Sequence, residues 1–167
     1  FLVARKITDN VGGFFAAMMM AVNAAFLGRT LFGHPDNDIW VVFFPLLITW
    51  LFILTEEAKS IAKIMVITLL AGFFTSLFTF AWTGWWYIFD FLLATIALIF
   101  TYFLLMNRDT IAKSPKSLLS NTSIRNILII GVIYFISTAV FVTLFSGWPT
   151  FRNSFLGPLR FSSIKSP

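Results

Sequence analysis

The residues best suited to chemistry lie in one polar stretch, residues 28–38, between two long apolar runs. The stretch contains the only histidine, His34, and two of the seven acidic residues, Asp36 and Asp38. Arg29 stands seven residues before Asp36. Carboxylates bind metal ions, and the planar guanidinium of arginine binds carboxylates and phosphates. This stretch is therefore the first place to look for a site.

Asp36 and Asp38 are two residues apart, a spacing whose meaning depends on the backbone. On extended chain, side chains at i and i+2 point to the same side, so both carboxylates can reach one cation. On a helix they would diverge by about 200°. Pro35 disfavours helical backbone at His34, which favours the extended form. Two hard oxygen ligands suit Mg²⁺, Mn²⁺ or Ca²⁺, although a complete site needs further ligands.

The same side chains also suit roles without chemistry. Asp36 or Asp38 could cap a helix that starts near Ile39, where a negative charge also interacts favourably with the helix dipole. Capping and metal binding do not exclude each other. Arg29 could instead contact lipid headgroups, and His34 could be an ordinary loop residue.

The composition is that of an integral membrane protein. Hydrophobic residues make up 59% of the 167 and charged residues 11%, whereas soluble domains carry about 25% charged residues. Mean hydropathy is +0.90. The absence of cysteine excludes disulfides and thiolate metal sites. The net charge of +5 fits basic cytoplasmic loops, so no nucleic-acid partner is expected.

Five apolar runs predict about five transmembrane helices in one all-α domain, residues 1–167. About 20 residues of helix cross a hydrocarbon core of roughly 30 Å, so the first run is barely long enough. Pro45 is expected to kink the second helix. The predicted helices cover residues 11–27, 39–54, 61–81, 88–106 and 127–145.

The positions of lysine and arginine predict the orientation, because cytoplasmic loops are enriched in both. With a cytoplasmic N-terminus, eight basic residues lie inside and four outside: Arg5, Lys6, Lys59, Lys63, Arg108, Lys113, Lys116 and Arg125 against Arg29, Arg152, Arg160 and Lys165. We therefore expect a multi-pass cell-membrane protein with a cytoplasmic N-terminus and a cytoplasmic loop 107–126. The acidic stretch 28–38, the aromatic turn Trp82–Tyr87 and the tail 146–167 would be external.

Asp90 lies one turn inside the fourth predicted helix. An acid at membrane depth is costly and normally faces a protein interior or a wet cavity. Together with Asn23 it could line a polar path, which would make the protein a small transporter or channel subunit. A non-catalytic scaffold subunit of a membrane complex is a further alternative. The aromatic turn Trp82–Tyr87 suits an interfacial belt, or a layer packed beneath the acidic stretch.

Several segments taken together resemble the transmembrane region of oligosaccharyltransferase catalytic subunits, specifically the archaeal AglB type. The approach to the acidic stretch, the stretch itself and the apolar helix after it are all similar to that family. So are the aromatic turn and a short segment near the end of the chain. The segments are residues 12–17, 23–30, 33–38, 41–50, 81–89 and 157–161.

The resemblance implies a GT-C type membrane glycosyltransferase. Such enzymes transfer a glycan from a lipid-(poly)phosphate carrier, here of the dolichol phosphate type, to the Asn of an N-x-Ser/Thr sequon in an acceptor peptide. Carried over by position, Asp36 and Asp38 would bind a divalent metal, Mg²⁺ or Mn²⁺. Asp36 would also orient the acceptor amide, and Arg29 would support the carboxylates or the substrate phosphate. Asp90, Arg152 and Arg160 carry over without an assigned role.

The chain lacks three features of the family pattern. It contains no counterpart of the family's first acidic motif, of the glutamate in its large external loop, or of its soluble domain with the W-W-D-Y-G motif. Trp85-Trp86-Tyr87 is not that motif. We therefore expect the chain to be an internal piece of the enzyme, embedded in membrane lipid and inactive without the rest of the enzyme chain.

Overall fold

A computed structural model describes residues 1–24, 27–28, 38–108 and 121–156, with Asp38 described by its backbone alone. These ranges form helices and contain no strand, which confirms the predicted all-α fold class. The helices are α1 Leu2–Ile7, α2 Asn10–Ala21, α3 Asp38–Glu56, α4 Ile61–Ala81, α5 Trp86–Met106, α6 Thr122–Ser146 and α7 Trp148–Ser154.

Four helices in the described ranges, α3 to α6, are long and apolar enough to cross a membrane. The first apolar run differs from its predicted span of 11–27, because α2 ends at Ala21. Its 12 residues rise about 18 Å, too little for a core of roughly 30 Å. Leu27 donates a backbone hydrogen bond to the Asn23 carbonyl, beyond the end of α2. Asparagine competes for backbone hydrogen bonds, which favours an interruption at Asn23.

Side-chain caps fix the start of two helices. The Asp9 carboxylate accepts a hydrogen bond of 2.7 Å from the Gly12 N–H at the start of α2. The Asn121 side chain accepts hydrogen bonds from the N–H groups of Ser123 and Ile124. Because these caps satisfy N–H groups that a helix start leaves free, α6 begins at Thr122 rather than near the predicted residue 127.

Consecutive long helices run in opposite directions, so α4 is antiparallel to α3 and α5 is antiparallel to α4. Short linkers, residues 57–60 and 82–85, join α3 to α4 and α4 to α5. Helix α4 packs against both α3 and α6, and α6 also packs against α5. The α4–α6 pair therefore forms the centre of the bundle.

Helices α4 and α6 approach each other closely at Gly72. A Cβ atom added there would lie 2.9 Å from the Ser137 Cβ and 3.1 Å from the Thr138 backbone nitrogen. Glycine at this point therefore lets the two backbones come together, as small residues do in membrane bundles. Thr68 is also buried on α4, and its hydroxyl donates to the Ile64 carbonyl of the same helix.

Two hydroxyl pairs connect the same helices. The Tyr134 hydroxyl lies 3.0 Å from the Thr75 hydroxyl, which already donates to the Ala71 carbonyl. Tyr134 is therefore the donor in this pair. The hydroxyl of Thr79 lies 2.7 Å from that of Ser146, the last residue of α6. Each such bond contributes on the order of 0.6–2 kcal/mol in a membrane.

Candidate functional site

One end of the bundle carries the start of α3. Because α3 and α4 are antiparallel, the first turn of α3 lies beside the last turn of α4, and the Phe44 and Phe78 rings pack 5.6 Å apart. The turn before α5 and the end of α6 lie at this same end. Asp38, the last residue of the acidic stretch, therefore begins α3 at the end of the bundle that carries the aromatic turn Trp82–Tyr87.

Among the predicted site residues, the structure describes only the backbone of Asp38. Helix α3 begins at Asp38, one residue before the predicted start. A negative charge at the first turn of a helix interacts favourably with the helix dipole. Arg29, His34 and Asp36 lie outside the described residues. The extended geometry of the Asp36–Asp38 pair, the choice between capping and metal binding, and the role of Arg29 therefore stay predictions.

The aromatic turn beside this end is closely packed. The Trp82 ring covers Gly84 so tightly that a Cβ atom at Gly84 would overlap it. Trp82 also packs 5.5 Å from Tyr87, and Trp85 is buried. Trp82 itself remains 40% exposed. The turn thus has one tryptophan at the surface and another in the core, while packing beneath the acidic stretch stays a prediction.

The first turns of α3 rest on this aromatic layer. Trp40 packs 5.9 Å from Phe44, and Phe44 reaches the fully buried Phe78, which in turn contacts Tyr87. Sequence reasoning missed the part played by Phe78. Its helix also carries Phe73, Phe74 and Phe80, so the sequence does not show which phenylalanine faces α3. The layer thus packs against the first two turns of α3, the helix that follows the acidic stretch.

The short helix α7 crosses the same end of the bundle, in a tail predicted to have no clear period. Phe151 is buried and packs 5.9 Å from both Phe89 and Phe135. Helix α7 follows Gly147, which has a φ of 84°, and carries Pro149 in its first turn. These two residues signal a helix start that reading the sequence missed. Arg152 is exposed on α7.

Asp90 lies one turn into α5 at this end and is half-buried. Its neighbour Phe89 is fully buried, so the two side chains face different surroundings. The carboxylate of Asp90 makes no hydrogen bond or ion pair with any described residue. Helix α2, which ends before Asn23, packs chiefly on α1. The described residues thus give no support to a polar path that joins Asn23 to Asp90.

The opposite end of the bundle is basic. The Lys6 ammonium contacts both carboxylate oxygens of Glu57, at 2.5 and 2.7 Å, and so fixes α1 beside the end of α3. Basic side chains near this end belong to Arg5, Lys6, Lys59, Lys63, Arg108 and Arg125. Arg152 is at the other end, with α7.

Within residues 1–24, 27–28, 39–108 and 121–156, no three side chains of His, Cys, Asp or Glu come together to hold a metal ion. The predicted metal ligands Asp36 and Asp38 lie outside the side chains that the structure describes, so this site stays a prediction. Two carboxylates are hard oxygen donors suited to Mg²⁺ or Mn²⁺, but they provide only part of the roughly six ligands that such ions take.

Comparisons with known proteins identify relatives over nearly the whole chain. The family described as "Oligosaccharyl transferase STT3, N-terminal" matches residues 1–159. A dolichyl-phosphooligosaccharide-protein glycotransferase from Methanococcus voltae is 27% identical, over 98% of this chain and 19% of that protein. An undecaprenyl-diphosphooligosaccharide–protein glycotransferase from Campylobacter jejuni is 25% identical, over 87% of this chain and 19% of its own length. No solved structure matches significantly. The chain spans about a fifth of these relatives' length.

Proposed function

This chain belongs to the oligosaccharyl transferase STT3 family, and we propose that it forms part of the membrane domain of an enzyme that transfers a glycan to asparagine. The observation that carries this proposal is the family match, which runs through the acidic stretch and all four candidate spans. Residues absent from this chain would complete the active site, so the chain alone would be inactive.

The names of the relatives support a substrate class. Both name an oligosaccharide linked to an isoprenoid phosphate or diphosphate as the donor and a protein as the acceptor. We infer a lipid-linked oligosaccharide donor of the dolichol phosphate type, because the archaeal relative matches more of the chain. The acceptor would be an N-x-Ser/Thr sequon. An archaeal origin fits the same comparison.

Asp36 and Asp38 are the proposed ligands of a divalent metal ion, Mg²⁺ or Mn²⁺. Two carboxylates at this spacing suit a hard cation, and the remainder of the enzyme would supply the missing ligands. When bound, the ion supplies positive charge for a phosphate-linked leaving group. Asp36 also orients the acceptor amide by accepting a hydrogen bond from its N–H group. Arg29 binds the carboxylates or the donor phosphate through its planar donor groups.

The orientation of the bundle follows the distribution of basic residues. We propose that the end with Lys6, Glu57 and Arg125 is cytoplasmic, since cytoplasmic segments carry more lysine and arginine. The acidic stretch, the aromatic turn and α7 then lie outside, where acceptor proteins and the carrier's phosphate would meet.

The test compares Asp36→Asn with Asp9→Asn in the full-length protein that contains this chain. Both changes remove one carboxylate, but asparagine still caps a helix, so Asp9→Asn is expected to act like the parent. The assay follows glycan transfer to a fluorescent sequon peptide during an Mn²⁺ titration. We expect Asp36→Asn to lower transfer at least about 100-fold. Equal transfer by both variants across the titration would refute the role of Asp36.

A further inference from the structure

A cavity of about 470 Å³ opens between α3 and α5, with α6 as its floor, towards the end of α3 opposite Asp38. Its walls are mostly apolar: Phe52 and Ile53 on α3, Leu92 and Ile96 on α5, and Ile130 on α6. The volume falls within the roughly 300–1,000 Å³ typical of small-molecule sites.

The cavity extends over one half of the membrane thickness. Its lining runs from Thr49 to Glu56 on α3 and from Phe91 to Phe103 on α5, which corresponds to about 10 and 18 Å along the helices. Towards the other half, Tyr134 closes the bundle. Its ring packs 4.8 Å from Phe52 and 5.8 Å from Phe89. The space therefore matches one leaflet of a core that is roughly 30 Å thick.

The end of the cavity near the basic surface is polar and rich in acceptors. Glu56, Ser123 and Asn126 line it. The side-chain oxygen of Asn126 is buried and has no hydrogen-bond partner in the described part of the chain. A buried acceptor without a partner is costly, so this oxygen calls for a donor.

Glu56 adds a negative charge at the same end. Its neighbour Glu57 pairs with Lys6, whereas Glu56 forms no ion pair with any described residue. Glu56 is also the last residue of α3, where the helix dipole disfavours a negative charge. A cationic group placed between Glu56 and Asn126 would satisfy both side chains.

We propose that this cavity binds one hydrocarbon chain of a membrane phospholipid whose headgroup carries an ammonium group. The chain fills the apolar walls within one leaflet, and the ammonium donates to Glu56 and Asn126. A further transmembrane helix fits less well, because it would be about 10 Å wide and would cross both leaflets. Lys59, one residue from the lining residue Ala58, is a nearby cation for the lipid phosphate.

The bundle also offers a matched control surface. A second cavity, of about 540 Å³, lies on the other side of α4 and α6 and is lined by residues such as Met65, Ile133 and Val140. No charged side chain lines it. Ile130 and Ile133 stand three residues apart on α6, but each faces a different cavity. The same substitution at these two positions therefore separates a specific site from general lipid contact.

The experiment is native mass spectrometry of the full-length protein with two probes of equal chain length, lysophosphatidylethanolamine and lysophosphatidylglycerol. We expect the parent protein to retain one molecule of the ethanolamine probe at least about tenfold better than the glycerol probe. Glu56→Gln should remove this preference. Ile130→Trp should fill the cavity and lower retention at least about tenfold, whereas Ile133→Trp should leave retention unchanged.

Three results would overturn the proposal. Equal retention of the two probes by the parent would exclude headgroup recognition by Glu56 and Asn126. Unchanged binding in Ile130→Trp would place the lipid elsewhere, and so would an equal loss in Ile133→Trp. Because Glu56 is exposed, Glu56→Gln should fold normally, and an unaltered preference in that variant would also exclude the assigned contact.

Discussion

At the scale of single residues, Tyr134 is the polar side chain with the most structural consequence. It is fully buried, its ring contacts Phe52 and Phe89, and its hydroxyl donates to Thr75. One residue thus joins the central helix pair to the aromatic packing of α3 and α5. Because the ring fills space and the hydroxyl makes one bond, the two contributions can be separated by substitution.

We expect Tyr134→Phe to keep the packing and lose the interhelical hydrogen bond. The free energy of unfolding should fall by about 0.6–2 kcal/mol, the range for such bonds in membranes. Tyr102→Phe is the control, because Tyr102 is 58% exposed on α5. Thermal unfolding of the two variants in the same detergent measures the difference. A larger loss in Tyr102→Phe would contradict the assignment.

At the scale of elements, the close approach of α4 and α6 at Gly72 holds the bundle together. The neighbouring side chain of Ser137 and the backbone of Thr138 leave no space for a methyl group. Since a backbone cannot rotate away as a flexible side chain can, a larger residue must push the helices apart. The polar pairs Tyr134–Thr75 and Thr79–Ser146 would then lengthen as well.

Gly72→Ala should destabilise the protein by about 1–3 kcal/mol, the usual cost of overpacking. Gly131→Ala on α6 is the matched change, because a Cβ atom there meets only a side-chain methyl, Cγ2 of Ile96, at 3.2 Å. We expect that control to stay within about 1 kcal/mol of the parent. Guanidinium or SDS titration of folded protein gives both values. Equal destabilisation by the two changes would show that Gly72 has no special position.

At the scale of the whole molecule, the bundle has one basic end and one end with the aromatic turn and α7. The Lys6–Glu57 contact fixes the short α1 at the basic end. Phe151 fixes α7 at the other. These contacts place residues that are distant in sequence at the same end of the bundle. We therefore predict that such residues react with a membrane-impermeant reagent from the same side of the membrane.

This arrangement can be tested by labelling, because the chain contains no cysteine of its own. In sealed vesicles of known orientation, Lys59→Cys should react with a membrane-impermeant maleimide only from the cytoplasmic side. Arg152→Cys should react only from the outside. Labelling of both from one side would contradict the antiparallel bundle, and exchanged sides would contradict the proposed orientation.

Composition and short-range pattern alone were enough for the fold class, the membrane location and the approximate helix ranges. The structure gives α4 at Ile61–Ala81, the range predicted from its apolar run. Such ranges are readable because a span needs about 20 apolar residues, and polar linkers mark its ends. The acidic stretch was also visible in sequence, since charges stand out in an apolar chain.

Tertiary structure decided which residues meet. The packing of Phe78 beneath α3, the docking of α7 through Phe151 and the approach at Gly72 all depend on contacts between distant segments. In membrane helices the face against lipid and the face against protein are both largely hydrophobic, so the sequence alone does not identify the residues that meet. For that reason composition determined how the chain crosses the membrane, and only packing determined how the helices assemble.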